Sequence, residues 1–140
     1  MAIFKQTNDD YATLAYQTGL NNETAESVFI ASLDIALEHG KISNLQHWKL
    51  SNKNGFRGRK GRKARQLFAE ELELKEGPVT LDSRYFVSIS RHATRISNET
   101  GFDVEKILDA LSKVINWIIE NEDQIKKLIE TIMRLVAMIA

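Results

Sequence analysis

An all-α fold of five to seven helices is what this 140-residue sequence predicts, and three observations predict it. First, Val104, Ile107, Leu111, Val114, Ile118, Asn121, Ile125, Leu128, Ile132, Leu135 and Ile139 follow one another at alternating spacings of 3 and 4, the period of one helix face. Second, earlier stretches with the same spacing each end at a glycine (Gly19, Gly40, Gly101) and open on Asn, Ser or Asp, residues that stop and cap helices. Third, proline occurs once, at Pro78. The RYFVSI segment, 84–89, has strand propensity, but it sits inside a longer helical period.

Taken in order, Asn8, Asp9 and Asp10 can cap a short helix that carries Tyr11, Leu14 and Ala15 inward and ends at Gly19, with Met1–Lys5 docking through Ile3 and Phe4. Asn21, Asn22 and Glu23 open a longer helix with Ala25, Val28, Phe29, Ser32, Leu33, Ala36 and Leu37 at 3–4 spacing, stopped by Gly40 after His39. Ser43 and Gln46 form a capping-box pattern for a short helix whose Leu45, Trp48 and Leu50 are expected at the core. Ala64, Leu67, Phe68, Glu71 and Leu72 predict a helix from about Arg62 to Glu76, and Gly77-Pro78 then makes a hinge. A helix from Ser83 to about Asn98 should bury Tyr85, Phe86, Ile89, Ala93 and Ile96, with Arg84, Ser88, Arg91 and Arg95 on the opposite side. Phe102 and Ile107 flank an Asp103 cap as a hydrophobic staple for the last segment.

That last segment, 103–140, is read as a unit packing on a helical body, 1–102, or on another subunit. An unbroken helix over 104–139 would run roughly 54 Å at 1.5 Å per residue, beyond the ~30 Å of a small domain. Asn121-Glu122-Asp123-Gln124 also reads as a capping box, so a long amphipathic helix and a helical hairpin both stand. Leu108, Ile115, Ile129 and Val136 widen the apolar stripe beyond a two-stranded seam. Ile118, Asn121, Ile125, Leu128, Ile132, Leu135 and Ile139 are therefore candidate oligomerisation residues, with Asn121 setting register. Intramolecular core is the competing account of the same stripe.

Composition narrows the function. Lys and Arg number 19 and Asp and Glu 19, so no global charge draws the chain to a polyanion. With no cysteine there is no disulfide framework, thiolate zinc site or thiol nucleophile. The N-terminus lacks a signal-peptide pattern, no apolar run is long enough to span a bilayer, and Glu120, Glu122, Asp123 and Glu130 oppose an anionic lipid surface. A cytoplasmic location, or one inside a macromolecular particle, is expected, with no membrane association. His39, His47 and His92 share no ligand spacing, so no metal is expected. No P-loop or dinucleotide fingerprint is present. No catalytic residue and no cofactor are expected.

The charge is instead concentrated. Between Lys49 and Arg65, KLSNKNGFRGRKGRKAR places eight cations in 17 residues with no acid. Repulsion and Gly55, Gly58 and Gly61 predict an exposed basic loop between helices. Lys49, Lys53, Arg57, Arg59, Lys60, Arg62, Lys63 and Arg65 are the candidate phosphate contacts, and Phe56 is either a base-stacking ring or a loop anchor. Arg57-Gly58-Arg59-Lys60-Gly61-Arg62-Lys63 resembles the Arg-Gly-Arg core of AT-hook segments, without the proline usual after it. That resemblance implies arginines laid in a narrow minor groove. A solvated charged face, and docking onto acidic protein surface, are the competing readings. The expectation carried forward is a non-catalytic, sequence-nonspecific nucleic-acid-binding or packaging protein that forms a homo-oligomer through its C-terminal helix. The alternative is a structural subunit of a larger particle, viral or secretory for example, that uses protein contacts alone.

Overall fold

The computed structural model describes residues 11–51 and 58–138. Expectations that rest on Met1–Lys5, Asn8, Asp9, Asp10, Lys53, Gly55, Phe56, Arg57 and Ile139 lie outside the described residues. Within them the chain is all-α, with seven α-helices and no strand.

Helix α1 (Ala12–Thr18) turns Leu14 and Ala15 inward and ends at Gly19. α2 (Asn22–Glu38) starts where the Asn21 side chain accepts the Thr24 amide at 2.8 Å. Ala25, Val28, Phe29, Ser32, Leu33 and Ala36 are buried as their spacing predicts, and Ala31 and Ile35 join them. Burial on so many sides makes α2 the central helix, touched by α1, α3, α5 and α6. α3 (Asn44–Leu50) has the capping box read from Ser43 and Gln46, with both hydrogen bonds formed.

α4 runs from Gly58 to Glu70, not from Arg62 to Glu76. Its inner stripe is Gly61, Ala64, Arg65, Phe68 and Ala69. The 3–4 phase set by Ala64 and Phe68 therefore extends back through Gly61, into the region expected to be loop. At the other end, Gln17 takes the chain out of the helix: its Nε2 donates to the Leu72 carbonyl at 2.9 Å and its Oε1 accepts the Leu74 amide at 2.8 Å. Those two bonds satisfy backbone groups that a continuing helix would otherwise pair.

A 3-10 turn at Ser83–Tyr85, capped by Asp82, leads into α5 (Phe86–Thr100). Tyr85, Ile89, Ala93 and Ile96 are buried as expected, but Phe86 is 69% exposed and Ser88 is buried. Gly101, at φ 77°, reverses the chain in the left-handed region that a residue with a Cβ enters reluctantly, and its amide donates to the Ser97 carbonyl at 2.8 Å.

α6 (Val104–Glu120) opens with Asp103 accepting the Glu105 amide at 3.0 Å, and it packs between α2 and α5. The long C-terminal stripe breaks at one residue. Asn121, at φ −112° and ψ 19°, ends α6, and its Nδ2 donates back to the Trp117 carbonyl at 2.8 Å. Asn121 thus caps the end of α6 and does not form the expected capping box, since its side chain makes no cap bond to α7 (Glu122–Ala137). α7 packs chiefly on α4 and only sparsely on α6.

Candidate nucleic-acid interface

The first turns of α4 carry most of the basic stretch that the structure describes. Arg59, Lys60 and Arg62 are exposed, and Lys63 and, on α3, Lys49 are half-buried. Arg59, Arg62 and Lys63 share the solvent side because three to four residues make a turn, while Gly61, Ala64 and Phe68 face inward. The second half of the expected loop is therefore helix. Repulsion did not prevent this because the cations fan out over the solvent side while the small inner residues let Phe68 anchor the helix. Lys49 lies on α3, which is in contact with α4.

Arg65 departs from the expectation of an exposed contact: it is only 6% exposed. Its position four residues after Gly61 and three before Phe68 puts it on the inner stripe.

The electrostatics of α4 are inverted. Its first turn has no acid and its last turn no base, so cations sit at the positive end of the macrodipole and Glu70 at the negative end. Each such charge costs about 0.3–1 kcal/mol.

The arginines expected on the outward side of the 83–98 helix each lie within ion-pair distance of an acid. Arg84 Nε lies 3.3 Å from Asp82, Arg91 Nη2 2.7 Å from Glu38 and Arg95 Nη1 2.8 Å from Glu99.

A second polar cluster lies where α5 and α3 meet α2. Ser88 Oγ donates to Glu38 Oε2 at 2.8 Å and lies 3.2 Å from His39 Nε2. The His39 ring also lies 4.4 Å from that of Tyr85, tilted at 43° to it. His47 Nε2 meets Asp34 Oδ1 at 2.7 Å. The imidazole and the carboxylate both engage the one hydroxyl, so Ser88 ties α5 to the end of α2. Sequence reasoning missed this role because its partners are 49 and 50 residues away. No group of three or more histidines or acids among the described residues has metal-holding geometry.

His92 sits at the edge of this cluster. Its Nδ1 lies 3.1 Å from Arg95 Nη2, and its Nε2 is buried, 3.9 Å from Glu38 Oε1. Burial of the ring, then Arg95 and Arg91, hold its pKa below the ordinary 6.5, against the opposing pull of Glu38 and Asp34. Below that value the unfolded chain takes up a proton that the folded chain resists, so stability falls as pH drops from about 6.5 through the folded pKa and is constant above it. His92→Gln is expected to flatten that acid limb in urea-unfolding midpoints measured against pH. An unchanged limb would remove the assignment.

Sequence reasoning also missed the outward side of α3. Leu45 and Trp48, expected in the core, are 60% and 49% exposed, whereas Leu50 is buried. The signal was present: 45 and 48 share one face, 47 and 50 the other, and a helix of seven residues packed by its His47–Leu50 face leaves the first pair outside.

Of the C-terminal residues read as an oligomerisation surface, Ile118, Ile125 and Ile132 are at most 2% exposed within the chain. Asn121 and Leu128 are half-buried, and Leu135 is 52% exposed. The break at Asn121 is the physical reason: it turns α7 onto α4, so most of the stripe is covered within one copy. No helix among the described residues is long and apolar enough to cross a membrane. No family model, curated protein or solved structure matches this chain.

Proposed function

We propose that this protein binds nucleic acid without catalysis and without base-specific reading, contacting backbone phosphates through the first turns of α4. The observation that carries this reading is Arg59, Lys60 and Arg62 exposed within four residues at a helix start that has no acid in its first turn. Phosphates reward such a cluster through counterion release, and they neutralise charges that the helix dipole otherwise disfavours. Lys49, Lys63, Lys53 and Arg57 extend the contact along the chain. Self-association through the exposed end of α7 raises affinity by presenting several such clusters to one polymer.

The test is polyelectrolyte binding against salt. The intact chain should give a log–log slope of several units, near −0.9 per phosphate on duplex DNA. Arg59→Gln/Lys60→Gln/Arg62→Gln should make the slope shallower by about 2–3 units with a melting temperature no lower than that of the intact chain. Flat salt dependence in the intact chain sinks the reading and leaves the particle-subunit alternative, in which the same cations meet an acidic protein surface.

A further inference from the structure

We infer that the outward face of α7 pairs with α7 of a second copy of this chain, antiparallel and about a two-fold axis beside Leu128. The inference rests on the self-association proposed above and deepens it, and it does not depend on nucleic-acid binding. Asp123, Lys127, Glu130 and Arg134 are all exposed and follow one another at spacings of 4, 3 and 4, which places them in one row along the solvent side of α7. None of the four makes an ion pair or a side-chain hydrogen bond among the described residues. Spacing does not account for this. Asp123 and Lys127 stand four apart, as do Glu130 and Arg134, and at that separation Arg95 meets Glu99 at 2.8 Å and Lys113 meets Asp109 at 3.1 Å. The described part of the chain therefore leaves a row of four charges unmatched.

The order of signs selects the partner and its direction. Along α7 the row reads negative, positive, negative, positive, and an antiparallel copy presents the reverse order. Asp123 then meets Arg134 of the second copy and Lys127 meets its Glu130, each contact occurring twice, as a two-fold interface requires. The same axis brings each flank of the helix against the same flank of its copy, so the row is its own complement. A parallel copy in register sets like charge against like. One position after each charge lies a second row, Gln124, Leu128, Thr131 and Leu135, continued by Met138. Leu128 is half-buried, and Leu135 and Met138 are 52% and 81% exposed. In the register that matches all four charges, Leu128 falls beside the axis and meets its own copy. Exposed ion pairs add little affinity; here they set direction and register, while the apolar row supplies the attraction.

The full chain contains no cysteine, so single introduced thiols report the pairing, with sedimentation giving the mass. The intact chain should sediment as a dimer. Under mild oxidation Leu128→Cys should form a disulfide-linked dimer and Leu135→Cys should not, because its two copies lie roughly 20 Å apart along the helix axis, beyond the ~7 Å that a disulfide spans between Cα atoms. Lys127→Glu and Glu130→Lys, both at exposed positions, should each raise the dimer dissociation constant about tenfold or more while helical circular dichroism is retained. Mixed in equal amounts, the two variants should recover the affinity of the intact chain, because the mixed pair restores opposite signs at both central contacts; damage within one helix is not cured by mixing. Equal linking at Leu128 and Leu135, or none at Leu128 in a chain that sediments as a dimer, overturns the antiparallel pairing and leaves self-association standing. Single variants that sediment like the intact chain, or mixtures that recover nothing, overturn the charge row. A monomeric intact chain overturns the pairing and the self-association together, and leaves this face to a different partner. A flat salt slope overturns nucleic-acid binding and does not touch the pairing.

Discussion

Replacing Phe29 with alanine is expected to lower folding stability by about 3–5 kcal/mol, a large fraction of the roughly 5–15 kcal/mol that a domain possesses. Phe29 is fully buried on α2. Its ring lies 5.9 Å from Tyr11 and 5.6 Å from Phe68, and Phe68 lies 6.0 Å from Trp117. Four rings therefore run from the start of α1 through α2 and α4 to α6. Truncating the second of them opens a cavity where α1, α2 and α4 meet and removes two aromatic contacts worth about 0.5–1.5 kcal/mol each. Phe29→Leu keeps most of the volume and should cost less than half as much. Urea midpoints at equal slope measure both. A loss below about 1 kcal/mol in the alanine variant, far under the range for such truncations, would mean that these rings do not join the helices. The consequence reaches the interface, because Phe68 is what holds the basic turns of α4 against the rest of the protein.

The parts of this fold that could be read from the sequence are those with local causes. Ser43 with Gln46, Asn21 and Asp103 each cap a helix through a residue two or three positions away, and Gly101 ends α5 by its own backbone conformation. The parts that could not be read depend on distant partners. Ser88 looked like a member of an outward polar ladder until His39 and Glu38 were brought to it from the end of α2. Phe86 shares its side of α5 with Ala93, but periodicity fixes the side of a helix and not how far along it a neighbour extends. α4 differs from its expected bounds for another reason: its composition and its helical phase point to different structures. Glycine and arginine in quantity argue for an open loop, whereas Gly61, Ala64, Arg65, Phe68 and Ala69 already trace one inner stripe. The candidate site was therefore legible as a charge cluster, and illegible as a helix with one of its arginines turned inside.

A helix optimised for stability alone would carry acids at its start and bases at its end; α4 does the reverse over 13 residues. The inversion disfavours the helix in isolation, and burial of Ala64, Phe68 and Ala69 against the neighbouring helices offsets it. Neutralising cations at the helix start relieves that cost, so the cation variants are expected not to lower the melting temperature.

Ile132→Asp and Leu135→Asp, three residues apart on α7, are expected to have opposite outcomes. Ile132 is 2% exposed and sits in the contiguous apolar core; an unpaired carboxylate there should cost on the order of 4 kcal/mol and unfold much of the protein. Leu135 is 52% exposed, with Met138 beyond it at 81% and Leu128 half-buried seven residues before it. An acid at Leu135 should change stability by about 1 kcal/mol or less. If copies assemble through α7, this outer rim is the part of the original stripe still available to a partner. Leu135→Asp should then lower the sedimentation mass of the protein while its helical circular dichroism and melting temperature are retained. A folded Ile132→Asp variant would show that α7 is not held by the core of its own chain, and an intact chain already sedimenting as a monomer would remove self-association from the proposal. The two variants separate the roles that one 3–4 repeat carries, since periodicity marks every apolar position alike and only the turn at Asn121 decides which of them the chain covers with its own helices.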